Sequence, residues 1–183
     1  SVDFAQSLGL PPPAAAGDVI TAMLQQPLDF HPGQRYAYSN LGYNLLGRLI
    51  EQKTGQDYGT YVEQNVLAPL GITRMRLGRT RLDQRQADEV RYYHPGDARS
   101  VFAADLDQRV PSPYGAWHLE AMDAHGGWLA SAVDLARLAA ALDDPTTCPI
   151  LSAASLAEIR QRPPGAAGFD GPQPKDVYYG LGW

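Results

Sequence analysis

The sequence predicts a mainly α fold with a few short strands. Three observations point there. Apolar residues recur at three- to four-residue spacing over 40–54, with a glycine where such a helix would stop. A second helical pattern runs to residue 142 behind a serine suited to cap it. Strand-like segments are brief and few, near 74–78, 89–93 and 176–183.

In chain order, Asp18 is placed to cap a short helix whose apolar residues are Val19, Ile20, Met23 and Leu24, ending before Pro27. His31-Pro32-Gly33-Gln34 reads as a turn. The strongest helix follows. Ser39 or Asn40 caps it, Leu41, Leu45, Leu46, Leu49 and Ile50 form one apolar stripe, and Gly55 suits the left-handed stop. Asp57 can cap the next helix, with Tyr58, Tyr61, Val62 and Val66 inward and Ala68-Pro69-Leu70-Gly71 at its end. Residues 72–117 are mixed and rich in Pro, Gly, Asp and Arg. Residues 125–142 give a turn and then a helix, capped by Ser131 with Asp134 at the capping-box position. A last helix is expected from Ser152 to Arg160, then a strand over 176–183. A lone aromatic terminal strand has no partner here, so 1–183 is read as a single, partial domain of something larger.

Composition excludes several classes. The length of 183 residues suits one domain with a sizeable core. A formal charge of −5 argues against nucleic acid or an anionic membrane as partner. The basic run 74–85 reads as a solvated loop. Cys148 is the sole cysteine, so no internal disulfide or zinc–thiolate cluster can form. The most apolar helix is interrupted by Asp134 and Arg137, which leaves no membrane-spanning segment, and no signal-peptide pattern is visible.

Two strings carry possible chemistry. Lys53-Thr54-Gly55 falls on the last turn and stop of the strongest helix, where the dipole favours lysine and the left-handed geometry favours glycine. That helix separates it from Asn40 by about 20 Å, so the two cannot share one small site. Tyr38-Ser39-Asn40 instead sits after a Pro-Gly turn and directly before the helix, where side chains can project into a cleft. A tyrosine ordinarily titrates near about 10, and a nearby ammonium lowers that enough for a phenolate to take a proton from a serine. An asparagine both donates and accepts, which suits an amide or ester substrate. The plainer reading of the three residues is a helix cap beside a packed tyrosine.

The context of these residues resembles the class C β-lactamase-like serine hydrolase family of β-lactamases, penicillin-binding proteins and related carboxylesterases. The likeness rests on Pro32-Gly33, Tyr38-Ser39-Asn40, Gly47, Thr54-Gly55 and Pro69-Leu70-Gly71. A second block, Gly126-Gly127, Ser131 and Asp134-Leu135-Ala136, and a third, Tyr178-Tyr179-Gly180-Leu181-Gly182-Trp183, are similar too. The resemblance implies the helical subdomain of the β-lactamase/transpeptidase-like α/β fold, with the flanking sheet halves missing and 176–183 opening the truncated C-terminal sheet segment. It implies Tyr38 as general base and proton donor, and Asn40 as hydrogen-bond partner of the substrate carbonyl and a catalytic lysine. It implies a small ester, β-lactam or peptide substrate, and no metal or organic cofactor.

The departures are as informative. Covalent chemistry of this kind needs Ser-x-x-Lys, with both side chains on one helical face. The lysines are Lys53 and Lys175, preceded three residues earlier by Ile50 and Pro172. No Lys/His-Ser/Thr-Gly follows residue 55. The chain as given is therefore expected to be inactive, a fragment of a serine hydrolase. The alternative is a catalytically dead binding or interaction module of the same descent. His31, His94, His118 and His125 lack metal-ligand spacing, and Gly126-Gly127 lacks the rest of a phosphate loop. Trp117 and Trp128 are candidates for a cleft lining, with packed core the simpler reading.

Overall fold

The computed structural model describes residues 2–106 and 108–182. Helices α1 (Val2–Ser7) and α2 (Ala16–Met23) pack together, with Ala5, Ala16, Ile20 and Ala22 buried. Ala15, not Asp18, occupies the N-cap of α2. Asp18 lies inside the first turn, and its carboxylate accepts the Ala15 amide at 2.8 Å. An acid in the first turn answers the free amides and the positive end of the dipole as well as a cap does.

Helix α3 (Asn40–Thr54) has the expected ends: Ser39 Oγ accepts the Gly42 amide at 3.0 Å, and Gly55 stops it at φ +70°. Its apolar stripe behaves unexpectedly. Asn44 and Gly47 are buried, whereas Leu46 and Leu49 are about half exposed. Helix α4 (Tyr58–Val62) starts with Asp57 Oδ1 accepting the Thr60 amide at 3.0 Å. It widens into a π turn over Glu63–Leu67, then tightens into a 3-10 turn, Ala68–Leu70, ending at Gly71. Leu67, Ile72 and Met75 form a core there, covered by Val62, Val66, Leu70, Trp128 and Leu138.

Three two-stranded antiparallel ladders brace the remainder. Strand β1 (Arg76–Leu77) falls within the expected 74–78; β2 (Asp97–Arg99) pairs with β3 (Arg109–Pro111). The strand expected near 89–93 does not form. The Glu89 amide closes a turn on the Gln86 carbonyl at 3.1 Å, and the Tyr92 amide donates to the Tyr114 hydroxyl at 2.6 Å, so a side chain takes what a ladder would use. Buried polar ties hold this region. Thr80 gives its amide (3.1 Å) and hydroxyl (2.6 Å) to Glu120, and Arg81 grips Asp105 with two bonds of 2.8 and 2.6 Å. Burial pushes the Glu120 carboxyl up, but its hydrogen bonds to Thr80 and to the backbone, with His118 nearby, together leave it below the usual range.

Helix α5 (Asp123–Gly126) lies against α3, and β4 (Trp128–Leu129) then pairs with β1 in the register Arg76↔Leu129 and Leu77↔Trp128. Helix α6 (Ala132–Asp143) is capped as expected. Ser131 Oγ accepts the Asp134 amide at 3.1 Å and donates to its carboxylate at 2.8 Å. Helix α7 (Ala153–Ile159) starts at Ser152, and a small hairpin of β5 (Phe169–Asp170) and β6 (Gln173–Pro174) follows. Over 176–182 the expected strand is not formed, since no neighbouring strand among the described residues offers a ladder; Trp183 lies outside them. Instead the Leu181 amide donates to the Ile159 carbonyl at 3.1 Å and the Tyr178 hydroxyl to the Arg160 carbonyl at 2.9 Å. The result is a mainly α structure with short strands.

Candidate active site at the head of helix α3

The approach to α3 is a turn that Gly33, at φ +80°, makes possible. The Gln34 amide donates to the His31 carbonyl at 3.1 Å, and the His31 amide donates to Gln34 Oε1 at 3.1 Å. Arg35 stacks over the Phe30 ring at 4.3 Å. The chain then runs extended into Ser39 (φ −144°, ψ 106°) and enters the helix at Asn40.

This geometry leaves Tyr38 76% exposed and Asn40 exposed beside it in sequence. Neither side chain has a hydrogen-bond partner among the described residues. Both stand at the N-terminal end of α3, where unpaired amides and the macrodipole favour negative charge. The arrangement leaves a phenol and a carboxamide open to solvent at the capped end of the helix.

Sequence reasoning missed their neighbour. Tyr43 lies three residues beyond Asn40 on the same helical face. Its hydroxyl sits 3.1 Å from that of Tyr179, joining α3 to the C-terminal segment. That hydrogen bond, then burial, then the phenols of Tyr179, Tyr36 and Tyr38 push Tyr43 up to about 12. Tyr43 is thus held as a hydrogen-bonded phenol against Tyr179. The signal available in the sequence was the Asn40-to-Tyr43 spacing; the partner was not visible.

The lysines lie elsewhere. Lys53 is exposed on the last turn of α3, about 20 Å along the helix from Asn40, so Lys53-Thr54-Gly55 is a helix end. Lys175 donates to the Ala166 carbonyl at 2.8 Å and pairs with Asp170 at 3.5 Å. Trp128 is half-buried and donates to the Tyr58 hydroxyl at 3.1 Å, whereas Trp117 is exposed. His118 Nδ1 lies 3.0 Å from the Ala14 carbonyl, and His94 turns back on Gly96. Among the described residues no three His, Cys, Asp or Glu side chains gather as a metal site.

Behind the site, α3 buries a polar seam. Asp123 binds Arg48, whose Nε also lies 3.2 Å from Glu51, a charge contact without hydrogen-bond direction. Asn44 Oδ1 and His125 Nδ1 are buried there without partners among the described residues.

The Beta-lactamase family matches this chain over residues 4–183, and the chain belongs to that family. It is 39% identical over 57 residues to a putative D-alanyl-D-alanine carboxypeptidase of Escherichia coli K12, covering 31% of this chain and 13% of that protein. Two solved structures share the fold. A penicillin-binding protein from Bacillus halodurans superposes with a TM-score of 0.67 at 22% identity, over 92% of this chain and 45% of that one. A D-stereospecific amidohydrolase from Streptomyces sp. gives 0.66 at 21%, over 92% and 44%. The chain thus spans less than half the length of these solved proteins.

Proposed function

We propose that this chain carries the Tyr-x-Asn element of a serine acyl-transfer hydrolase, and that the whole protein hydrolyses an ester, a β-lactam or a D-amino-acid amide through an acyl-enzyme. One observation carries the reading: Tyr38 and Asn40 are exposed, without a side-chain hydrogen-bond partner among the described residues, at the Ser39-capped N-terminal end of α3. Tyr38 takes the proton of a nucleophilic serine and returns it to the leaving group; Asn40 bonds the substrate carbonyl. Likeness to a carboxypeptidase and a D-stereospecific amidohydrolase supports an amide over an ester within that class. No Ser-x-x-Lys occurs in these 183 residues, so the nucleophile belongs to other parts of the protein and this stretch alone forms no acyl-enzyme. In this reading 1–183 is one partial domain.

The test is mass spectrometry of the whole protein, made from its natural reading frame, after reaction with a β-lactam and an activated ester. A serine adduct is expected, formed 10²–10⁴-fold more slowly in Tyr38→Phe, on the order general-base removal costs. An adduct on the isolated 183 residues, or unchanged acylation in Tyr38→Phe, overturns the assignment. The exposed Leu46 and Leu49 favour a second reading, a binding module without catalysis, which a whole protein that forms no adduct would support.

A further inference from the structure

Between the β1–β4 ladder, the loop at 88–92 and the first turn of α6 lies a cleft of about 370 Å³. That is the size of a small-molecule site. Trp128 in its lining donates to the Tyr58 hydroxyl at the start of α4, and neither Tyr38 nor Asn40 is among the lining residues.

Its lining carries both signs of charge. Arg74 and Arg76 converge on one oxygen, Asp88 Oδ2, at 2.7 and 3.3 Å. Arg76 also donates to the Arg74 carbonyl at 3.1 Å and to Gln86 at 3.5 Å, so the N–H donors to spare beside this carboxylate are mainly those of Arg74. Asp88 stays ionised between them, its carboxyl held down first by the Arg74 hydrogen bond. Glu89 accepts the Gln86 amide at 3.0 Å and also lies in hydrogen-bonding contact with Tyr92, so its carboxylate sits at the edge of the cleft. Asp134, buried at the start of α6, completes the negative side, with Arg137 3.7 Å away. Two ring faces are available, Trp128 half-buried and Tyr92 at 41% exposure.

Within the lining two guanidiniums meet three carboxylates. A simple anion would compete with Asp88 and face Glu89 and Asp134; a simple cation would face Arg74 and Arg76. A molecule carrying both charges on neighbouring atoms satisfies both sets. We propose that this cleft binds a small zwitterion of the α-amino-acid class with an apolar side chain. The carboxylate lies on Arg74 and Arg76, the ammonium on Glu89, and the side chain on Trp128 and Tyr92.

Calorimetric titration of the whole protein with phenylalanine, phenylacetate and phenethylamine tests this, since the last two each keep only half of the charge pattern. Saturable 1:1 binding of phenylalanine is expected, with each half-ligand at least tenfold weaker. Arg74→Ala, at a mostly exposed side chain, and Glu89→Gln should each weaken phenylalanine at least fivefold. Arg76→Lys, which keeps the charge, should weaken it less. Asn40→Ala should leave it unchanged, which separates this cleft from the head of α3. Phenylacetate or phenethylamine binding as tightly as phenylalanine overturns the zwitterion. So do absence of saturable binding, indifference to Arg74→Ala and Glu89→Gln, and loss of binding in Asn40→Ala.

Discussion

On its inner face α3 presents Asn44, Gly47 and Arg48; on its outer face it presents Leu46 and Leu49. The inner residues are small or polar, yet they make the tight contacts. A Cβ built on Gly47 would lie 2.7 Å from the Ala124 Cβ, so the missing side chain is what lets α5 approach. Arg48 then reaches Asp123, only 8% exposed, in the same interface. The outer leucines, with Ile50, Lys53, Thr54 and Tyr61, line only a shallow hollow. Close approach and one charged bond decide which way this helix faces, rather than hydrophobic content.

Breaking the inner face should cost most. Asp123→Ala leaves Arg48 without its buried partner and should destabilise the protein by about 3 kcal/mol, at the lower end for such a loss because Arg48 keeps Glu51 nearby. Chemical denaturation measures it, and a loss below about 1 kcal/mol would show the pair to be incidental. Gly47→Ala should cost about 1–3 kcal/mol by overpacking, against the modest gain alanine brings to a helix. Ala124→Gly in the same chain should restore most of it, because the two sites share one contact. An additive double mutant would mean that Ala124 is not what limits residue 47.

The contrast also marks what the sequence could disclose. Helix ends were legible at Ser39, Gly55, Asp57 and Gly71 because capping is settled within a few residues of chain. The orientation of α3 was not, since its leucine stripe satisfies helical periodicity whether or not anything covers it. In sequence Asp18 reads as the cap, although it sits in the first turn, because an acid suits both places. As a cap it would accept first-turn amides, whereas here it accepts the amide of the cap residue Ala15. The hairpin of β5 and β6 went unseen because two-residue strands leave no alternation to read. At the site, Tyr38 and Asn40 stood out through their position before a helix, whereas Tyr43 and Tyr179 meet across 136 residues, and no local pattern encodes that.

The Tyr43–Tyr179 bond gives a smaller effect with a signature in pH. Tyr43 is raised from 10.0 to about 12 in the folded chain. A group that binds its proton more tightly when folded contributes its full stability below its unfolded pKa and loses it as pH rises. The contribution should thus be complete below about pH 10 and fade between about 10 and 12. Tyr43→Phe should cost about 1 kcal/mol at neutral pH, the usual net value of one hydrogen bond. It should also flatten the alkaline fall in the urea midpoint. An equal fall in both proteins would mean that the Tyr43–Tyr179 bond does not set the alkaline loss of stability.

Leu46→Gln should do least. The residue is 54% exposed, so about half of the 1.5–3 kcal/mol that full burial of a leucine brings is already absent. Glutamine has nearly the same helix propensity, which removes a backbone contribution. The expected loss in the 183-residue chain is below about 1 kcal/mol, smaller than that of Gly47→Ala although far more apolar surface is removed. The same substitution in the whole protein adds a second reading. If further protein covers this face there, the loss should grow by more than about 1 kcal/mol, as for a buried large-to-small or polar replacement. Equal losses in both forms would mean that the outer face of α3 stays open to water.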